Sequence, residues 1–113
     1  MEKEKSIKHF IDLSINYGYY LELGEYKKTN YYAKKILEFN NTIKADPNHE
    51  LVNDLKKLLY HNNNAVRLET CVILLDYYKN ESIEVLNEIA SCKKSLVSFS
   101  AKMILQELKK NNK

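Results

Sequence analysis

The fold of this chain is decided by two aligned stretches, residues 66–80 (VRLETCVILLDYYKN) and residues 97–111 (VSFSAKMILQELKKN). They lie 31 positions apart and agree mainly at apolar positions. The matched pairs include Val66 with Val97, Ile73 with Ile104, and Leu74 with Leu105. Self-similarity at a period of about 20–50 residues is typical of stacked helical units that cannot bury their apolar faces alone. The period therefore predicts two repeated helical hairpins, residues 48–80 and 82–110.

The size and composition predict one all-α domain spanning residues 1–113. Two glycines and one proline are too few for the turns of a β-sandwich or barrel. We expect a right-handed α-superhelix of about six helices in three hairpins. Residues 1–45 would form an N-terminal capping hairpin, because they fit the 31-residue pattern poorly.

Apolar residues at helical spacing predict helices over about residues 4–23, 25–44, 47–61, 65–78, 82–91 and 96–110. In the first helix Ile15 and Tyr19 are expected to face inward. Asp46, before the proline, is expected to cap the third helix, and Ser82 the fifth. The fourth helix is apolar nearly all round, so it should occupy the centre.

Charge and cysteine usage exclude several classes. The net charge is +3, from 18 basic and 15 acidic residues that alternate along the chain, which disfavours a nucleic-acid binder. No apolar stretch approaches the roughly 20 residues of a membrane span, and no apolar segment follows Met1–Lys5, so we expect a cytoplasmic protein without a membrane. Cys71 and Cys92 lack metal or redox spacing and are interpreted as reduced, small hydrophobic residues.

A family resemblance rests on both repeated stretches. Asn64-Ala65-Val66-Arg67-Leu68 resembles the opening of the second helix in a HEAT or armadillo repeat, although Ser98 replaces the arginine in the later copy. Most of the chain is similar to a bacterial family of small HEAT-like proteins known only as a domain of unknown function. The residues that carry this likeness are Val66-Arg67-Leu68, Leu74-Leu75 and Val97-x-Phe99-Ser100-Ala101-x-Met103-x-Leu105. The resemblance implies an α-superhelical fold and no catalytic residues.

Arg67 is the only arginine among 18 basic residues. A guanidinium has five donors in a planar fork, which lysine cannot replace where bidentate bonding is needed. One interpretation is structural, with Arg67 bonded to helix-end carbonyls or to a carboxylate. The candidate carboxylates are Glu69, Asp76 and Glu107. The alternative is that Arg67 contacts a ligand.

The chain shows no pattern typical of an enzyme. His9, His49 and His61 lie in three different segments without a second ligand type at metal-binding spacing. There is no glycine-rich phosphate loop and no nucleophile elbow. We therefore expect no metal, no cofactor and no catalysis.

The tyrosines are the best indication of function, since six of nine fall within residues 17–32. Neighbouring helical positions point about 100° apart, so one member of Tyr19–Tyr20 and one of Tyr31–Tyr32 should be exposed or at a groove edge. Tyr20, Tyr31 and Tyr77 are the predicted surface members. The alternative is that the tyrosines fill a core that has three phenylalanines and no tryptophan.

The leading functional hypothesis is a non-enzymatic protein-binding module that uses the concave surface formed by the second helix of each hairpin. The candidate interface residues are Tyr20, Tyr31, Lys34, Lys35, Glu38, Glu69, Tyr77, Lys102 and Gln106. A narrower hypothesis, by analogy, is a bacterial immunity protein that neutralises a toxin. The alternatives are nucleic-acid binding through lysines, and a homodimer that buries an apolar end face.

Overall fold

A computed structural model describes residues 2–111, and helices form nearly all of them. The elements are α1 (Glu2–Leu23), α2 (Tyr26–Ala45), α3 (Val52–Lys56), a 3-10 helix (Lys57–Tyr60), α4 (Asn64–Leu74), α5 (Lys79–Ala90) and α6 (Leu96–Asn111). No strand occurs in this range, which confirms the all-α class. The right-handed superhelix and its HEAT-like character stay predictions.

Helix α4 lies at the centre, as its apolar sequence predicts. It contacts α1, α3, the 3-10 helix, α5 and α6. The buried members of α4 are Ala65, Val66, Leu68, Thr70, Cys71, Ile73 and Leu74. Helix α1 packs along α2 and also touches α6. The first hairpin therefore contacts both the middle and the last hairpin. In a stack where each repeat contacts only its neighbours, the first and last hairpins would not touch.

The inward face of α1 differs from the prediction. Ile15 and Tyr19 are exposed, while Ser14 and Gly18 are buried. Gly18 lies so close to α4 that a Cβ at this position would overlap the Cβ of Ala65. Small residues allow this close packing of two helices, whereas large apolar ones at the same positions would hold them apart.

The turn between α1 and α2 is a Schellman motif. Gly24 has φ +75°, a left-handed conformation that glycine adopts without a Cβ penalty. The N–H of Glu25 donates to the carbonyl of Tyr20 at 3.0 Å, and the N–H of Gly24 donates to that of Leu21 at 3.1 Å. These bonds end α1 and reverse the chain into α2.

The predicted cap at Asp46 is wrong. Its carboxylate accepts hydrogen bonds from the N–H groups of Asn48 and Glu50, both at 3.0 Å, inside the turn after α2. These two bonds, with Glu50 contributing most, hold the pKa of Asp46 below its usual value. Helix α3 begins only at Val52 and has no side-chain cap. Both carboxylate oxygens of Asp46 are therefore bonded within the turn, and neither caps α3.

Two further helix ends differ from the prediction. Helix α4 ends at Leu74. Tyr77 and Tyr78 lie in or next to the following turn, and they pack against the core from there. Helix α5 begins at Lys79, which places Ser82 inside the helix and buried, so Ser82 is no cap. Asn63, in contrast, caps α4 through hydrogen bonds from the N–H groups of Ala65 and Val66.

None of the helices described here is both long and apolar enough to cross a membrane.

Candidate functional site

Four tyrosine rings of the first hairpin form one continuous row, which we call the tyrosine array. Tyr20 of α1 stacks on Tyr32 of α2, with ring centroids 5.8 Å apart and planes inclined by 4°. Tyr19 meets Tyr20 edge-on at 5.1 Å, and Tyr31 meets Tyr32 edge-on at 5.0 Å. Each edge-on contact aligns a positive ring edge with a negative ring face. The array therefore joins the two helices and fixes the positions of its outer rings.

The outer rings of the array face solvent. Tyr19 is 60% exposed and Tyr31 is 56% exposed, while the stacked inner pair, Tyr20 and Tyr32, is half-buried. Exposure of Tyr31 agrees with the prediction from the Tyr31–Tyr32 pair. In the other pair one member is also exposed, but the choice of member is wrong: Tyr19 faces outward, and Tyr20 lies inside the stack. Tyr20 is more buried because its ring has a partner on the neighbouring helix.

Two lysines lie against the array. The Nζ atom of Lys28 is 4.9 Å from the ring centroid of Tyr20, and that of Lys35 is 5.6 Å from the ring centroid of Tyr31. Lys35 also forms an exposed ion pair with Glu38, at 3.8 Å, one helical turn along α2. Exposed contacts of both kinds are each worth about 0.5–1 kcal/mol or less. The surface at the array therefore combines aromatic rings with charged side chains of both signs.

Glu69 lies apart from the array, in a cleft between α2 and α4. The cleft measures about 190 Å³ and is lined by Ala33, Ile36, Leu37, Asn40, Glu69, Val72 and Ile73. Burial raises the pKa of Glu69 to about 7. Tyr17 of α1 is close by: burial raises the pKa of Tyr17, and the charge of Glu69 raises it further. On α2, the lining positions 33, 37 and 40 point away from the face that carries Tyr31 and Lys35.

The other predicted interface residues also lie elsewhere. Tyr77 is half-buried against the core, with its ring centroid 5.2 Å from that of His49, so the prediction of an exposed surface residue is wrong. Lys34 is exposed on α2. Lys102 and Gln106 are exposed on α6. The nine candidates therefore do not form one surface in this fold. Tyr20, Tyr31, Lys34, Lys35 and Glu38 lie on the first hairpin, with Lys34 one helical turn from both Tyr31 and Glu38.

The comparisons with known proteins identify the family. A model of the family described as a domain of unknown function (DUF2019) matches residues 4–109. This chain belongs to the DUF2019 family. The crystal structure of the protein RPA1889 from Rhodopseudomonas palustris CGA009 has a similar fold, with a TM-score of 0.86 and 21% identity over 97% of this chain and 90% of that chain. At that identity the likeness shows the fold alone. No curated protein matches this chain.

In this DUF2019 domain Arg67 joins three elements. Its Nε donates to the carbonyl of Leu59, at the end of the 3-10 helix, at 2.9 Å, and one terminal nitrogen donates to Asn64 Oδ1 at 3.2 Å. The other terminal nitrogen pairs with Glu88 of α5. The carboxylate partner is therefore Glu88, not one of the three proposed from the sequence, because the turn after α4 places α5 beside Arg67.

The two cysteines of the DUF2019 domain differ in environment. Cys71 is buried in α4, and burial raises its pKa to about 12. Cys92 is exposed, and both cysteines are free, as expected from the sequence. Its Sγ accepts a hydrogen bond from Asn64 Nδ2 at 3.6 Å and donates to the carbonyl of Glu88 at 3.3 Å. Within residues 2–111, no group of three or more His, Cys, Asp or Glu residues is placed to hold a metal ion.

Several surface features of this DUF2019 domain are not evident from the sequence pattern. The helical spacing of Ile15 and Tyr19 predicts that Tyr19 faces inward; the signal that could correct this prediction is the pair of small residues, Ser14 and Gly18, which lie on the buried face. A second feature is an exposed apolar stripe on α6 formed by Leu96, Phe99 and Met103. Their spacing of three and four residues is helical, and it is equally typical of a buried face.

Proposed function

We propose that this chain is a non-enzymatic protein-binding module whose contact surface is the tyrosine array. The observation that carries the proposal is the exposure of Tyr19 and Tyr31 while both rings are held edge-on by the stacked inner pair. Tyrosine supplies a large contact area with a polar tip at a small loss of side-chain entropy. Rings that are already held in place lose still less on binding, which favours affinity.

In its narrower form the proposal is that the partner is a toxin and that this chain is a cytoplasmic immunity protein. This form rests on analogy with small, single-domain inhibitors. Such a protein needs a rigid surface that covers another active site and needs no catalytic group of its own. The tyrosine array suits that role because it places two outer rings on a hairpin of two long helices.

Single-stranded nucleic acid is a second candidate partner, and a specific observation favours it. Lys28 and Lys35 lie beside tyrosine rings, and proteins that bind single strands combine lysines with aromatic rings on which bases stack. The charges weigh against this candidate, because Lys35 is already paired with Glu38 and the net charge is only +3.

Affinity capture with matched double variants tests the proposal. Tyr19→Ala/Tyr31→Ala removes the outer rings of the array. Tyr26→Ala/Tyr60→Ala removes two tyrosines that are even more exposed and lie outside it. We expect a partner protein captured by the wild type and by the second variant to be lost with the first. Circular dichroism and thermal melting confirm that both variants are folded.

Three outcomes would contradict the proposal. Equal capture by both double variants would show that the array does not bind the partner. A salt-dependent mobility shift of a single-stranded oligonucleotide, lost in the Tyr19/Tyr31 variant, would favour nucleic acid. A dimer in light scattering that is broken by Phe99→Ser would show that the exposed stripe on α6 serves self-association.

A further inference from the structure

The cleft between α2 and α4 has two exposed apolar side chains at its edges and two half-buried polar side chains in its lining. Leu37 and Val72, both exposed, form its edges, and Ile36 and Ile73 are buried beside them. Glu69 and Asn40 also line the cleft. Two apolar side chains at the entrance and two acceptor groups inside match a ligand with an aliphatic stem and a polar head.

Both polar groups lack a donor. The Oδ1 atom of Asn40 is buried without a hydrogen-bond partner. Glu69 takes part in none of the four ion pairs formed among residues 2–111. Its pKa is raised by burial alone, without a hydrogen bond or cation that would lower it. Buried acceptors normally have a donor, so the unpaired Oδ1 of Asn40 and the half-buried carboxylate of Glu69 are complementary to a donor from outside.

The chemistry of the cleft restricts the ligand. An anion would be repelled by the Glu69 carboxylate. A hard metal ion prefers six or more oxygen ligands, and this cleft offers one carboxylate and one amide. An apolar ligand would leave both acceptors unpaired. A guanidinium or ammonium group supplies several donors with a positive charge, and its methylene stem can pack along Leu37 and Val72.

We propose that this cleft binds an arginine or lysine side chain of a partner protein, with the cationic head at Glu69 and the stem between Leu37 and Val72. This proposal rests on the proposed function, because the side chain belongs to the protein that the module binds. The cleft lies on a different face of α2 from the tyrosine array, so it is a second contact point. The unpaired Oδ1 of Asn40 accepts a further hydrogen bond from the cationic head.

The binding of a cation in the cleft should depend on pH through the charge of Glu69. Only ionised Glu69 attracts a cation, and with a pKa of about 7 the ionised fraction rises about tenfold between pH 6 and pH 8. Tyr17 and Cys71, the two titratable groups that the charge of Glu69 affects, stay neutral in this range, because the pKa of Tyr17 is raised from its usual value and that of Cys71 is raised to about 12. Binding should therefore be roughly tenfold tighter at pH 8 than at pH 6.

NMR titration of labelled protein with N-butylguanidinium tests the cleft, and n-butanol serves as the neutral probe with the same stem. We expect saturable shifts at the amides of Asn40 and Val72 with the cation only. Glu69→Gln should weaken binding about tenfold at pH 8, the effect of one charge-assisted hydrogen bond, and abolish the pH dependence. Asn40→Leu should weaken binding but keep it. Glu84→Gln removes an exposed acidic group of α5, outside the cleft, and should change nothing.

A second arm identifies the source of the cation. A blocked peptide Ala-Ala-Arg-Ala-Ala should bind at least as tightly as butylguanidinium, and the same peptide with glutamine should not bind. Binding of butylguanidinium without binding of the arginine peptide would overturn the assignment to a protein partner. Equal shifts with butanol and the cation, or unchanged binding by Glu69→Gln, would overturn the site itself. These failures are separate from that of the proposed function, whose test leaves Glu69 in place.

Discussion

Glu22, in the last turn of α1, accepts a hydrogen bond from the backbone N–H of Leu96 at 2.9 Å. Its second carboxylate oxygen accepts one from the N–H of Val97, also at 2.9 Å. The carboxylate thus caps the start of α6 from 74 residues away. A negative group is stabilising there, because the first N–H groups of a helix have no internal partner and carry partial positive charge. This cap adds a polar link to the contact between α1 and α6.

Glu22→Ala should lower the free energy of unfolding by about 1–2 kcal/mol, the usual effect of removing a cap. Urea denaturation followed by circular dichroism measures the change. Glu84→Ala, which removes an exposed glutamate of α5, is the control and should cost less than about 0.5 kcal/mol. If both variants were equally stable, the carboxylate would not cap α6 in solution.

Gly18→Ala should destabilise the fold, although alanine is the better helix former. The new Cβ would overlap that of Ala65, and forcing two close-packed helices apart costs about 1–3 kcal/mol. The double variant Gly18→Ala/Ala65→Gly removes the overlap and should recover part of the loss. Thermal melts of the four proteins form a mutant cycle, and a coupling energy near zero would contradict the close contact.

Arg67→Lys should destabilise the protein by about 1–3 kcal/mol. Lysine cannot donate to Leu59, Asn64 and Glu88 at once, so a carbonyl at the end of the 3-10 helix loses its donor. Glu88→Gln removes only the ion pair, and because Glu88 is mostly exposed it should cost less than about 1 kcal/mol. Equal losses in the two variants would assign the effect to the ion pair rather than to the helix-end bond.

Glu69 should make the protein less stable as pH rises. Its pKa is about 7 in the fold and 4.5 as its ordinary value, so the folded state binds the proton more tightly. The stabilising contribution of the protonated form is complete below about pH 4.5 and lost by about pH 7. We expect a loss of about 2 kcal/mol, less than the full shift would give because the cleft admits water.

Urea midpoints measured from pH 5 to pH 8 check this dependence. Glu69→Gln should flatten the profile and should be more stable than the wild type at pH 8. A profile identical in the two proteins would show that Glu69 ionises in the fold as readily as in water.

The two cysteines should differ strongly in their reactivity toward a thiol reagent. The thiolate is the reactive form, and burial raises the pKa of Cys71 to about 12, so this thiol stays protonated and covered. A thiol reagent at pH 8 should modify one cysteine quickly, and mass spectrometry should locate it at Cys92. The second should react only in denaturant; rapid modification of both in the native protein would show local opening of α4.

Much of the fold follows from local patterns. The near-absence of glycine and proline, together with the helical spacing of apolar residues, predicted the all-α class and most helix centres. The apolar run of α4, from Ala65 to Leu74, predicted its central position. Local patterns did not predict the helix ends near Asp46 and Ser82. Both residues are of types typical of caps, but Asp46 bonds to N–H groups of its own turn, and Ser82 lies inside a helix that begins earlier.

The candidate site could be predicted only in part. The density of tyrosines indicated the first hairpin, and the 100° rule showed that each pair must divide between inside and outside. Which member faces outward depends on the neighbouring helix: Tyr20 is covered because Tyr32 stacks on it, and Tyr19 is left exposed. The environment of Glu69 also depends on a neighbouring helix. In the sequence it resembles any surface glutamate, but in the fold α2 packs beside it and forms the cleft.

The sequence by itself determined the kind of helices this protein forms and which of their faces are apolar, because propensity and periodicity act between residues a few positions apart. Only the tertiary structure decided the partners that lie far apart in the chain, Glu22 with Leu96 and Arg67 with Glu88, and it placed Asn40 and Glu69 in one cleft. Such pairs depend on how whole helices pack. That packing is set by close contacts such as Gly18 against Ala65, which no local pattern encodes.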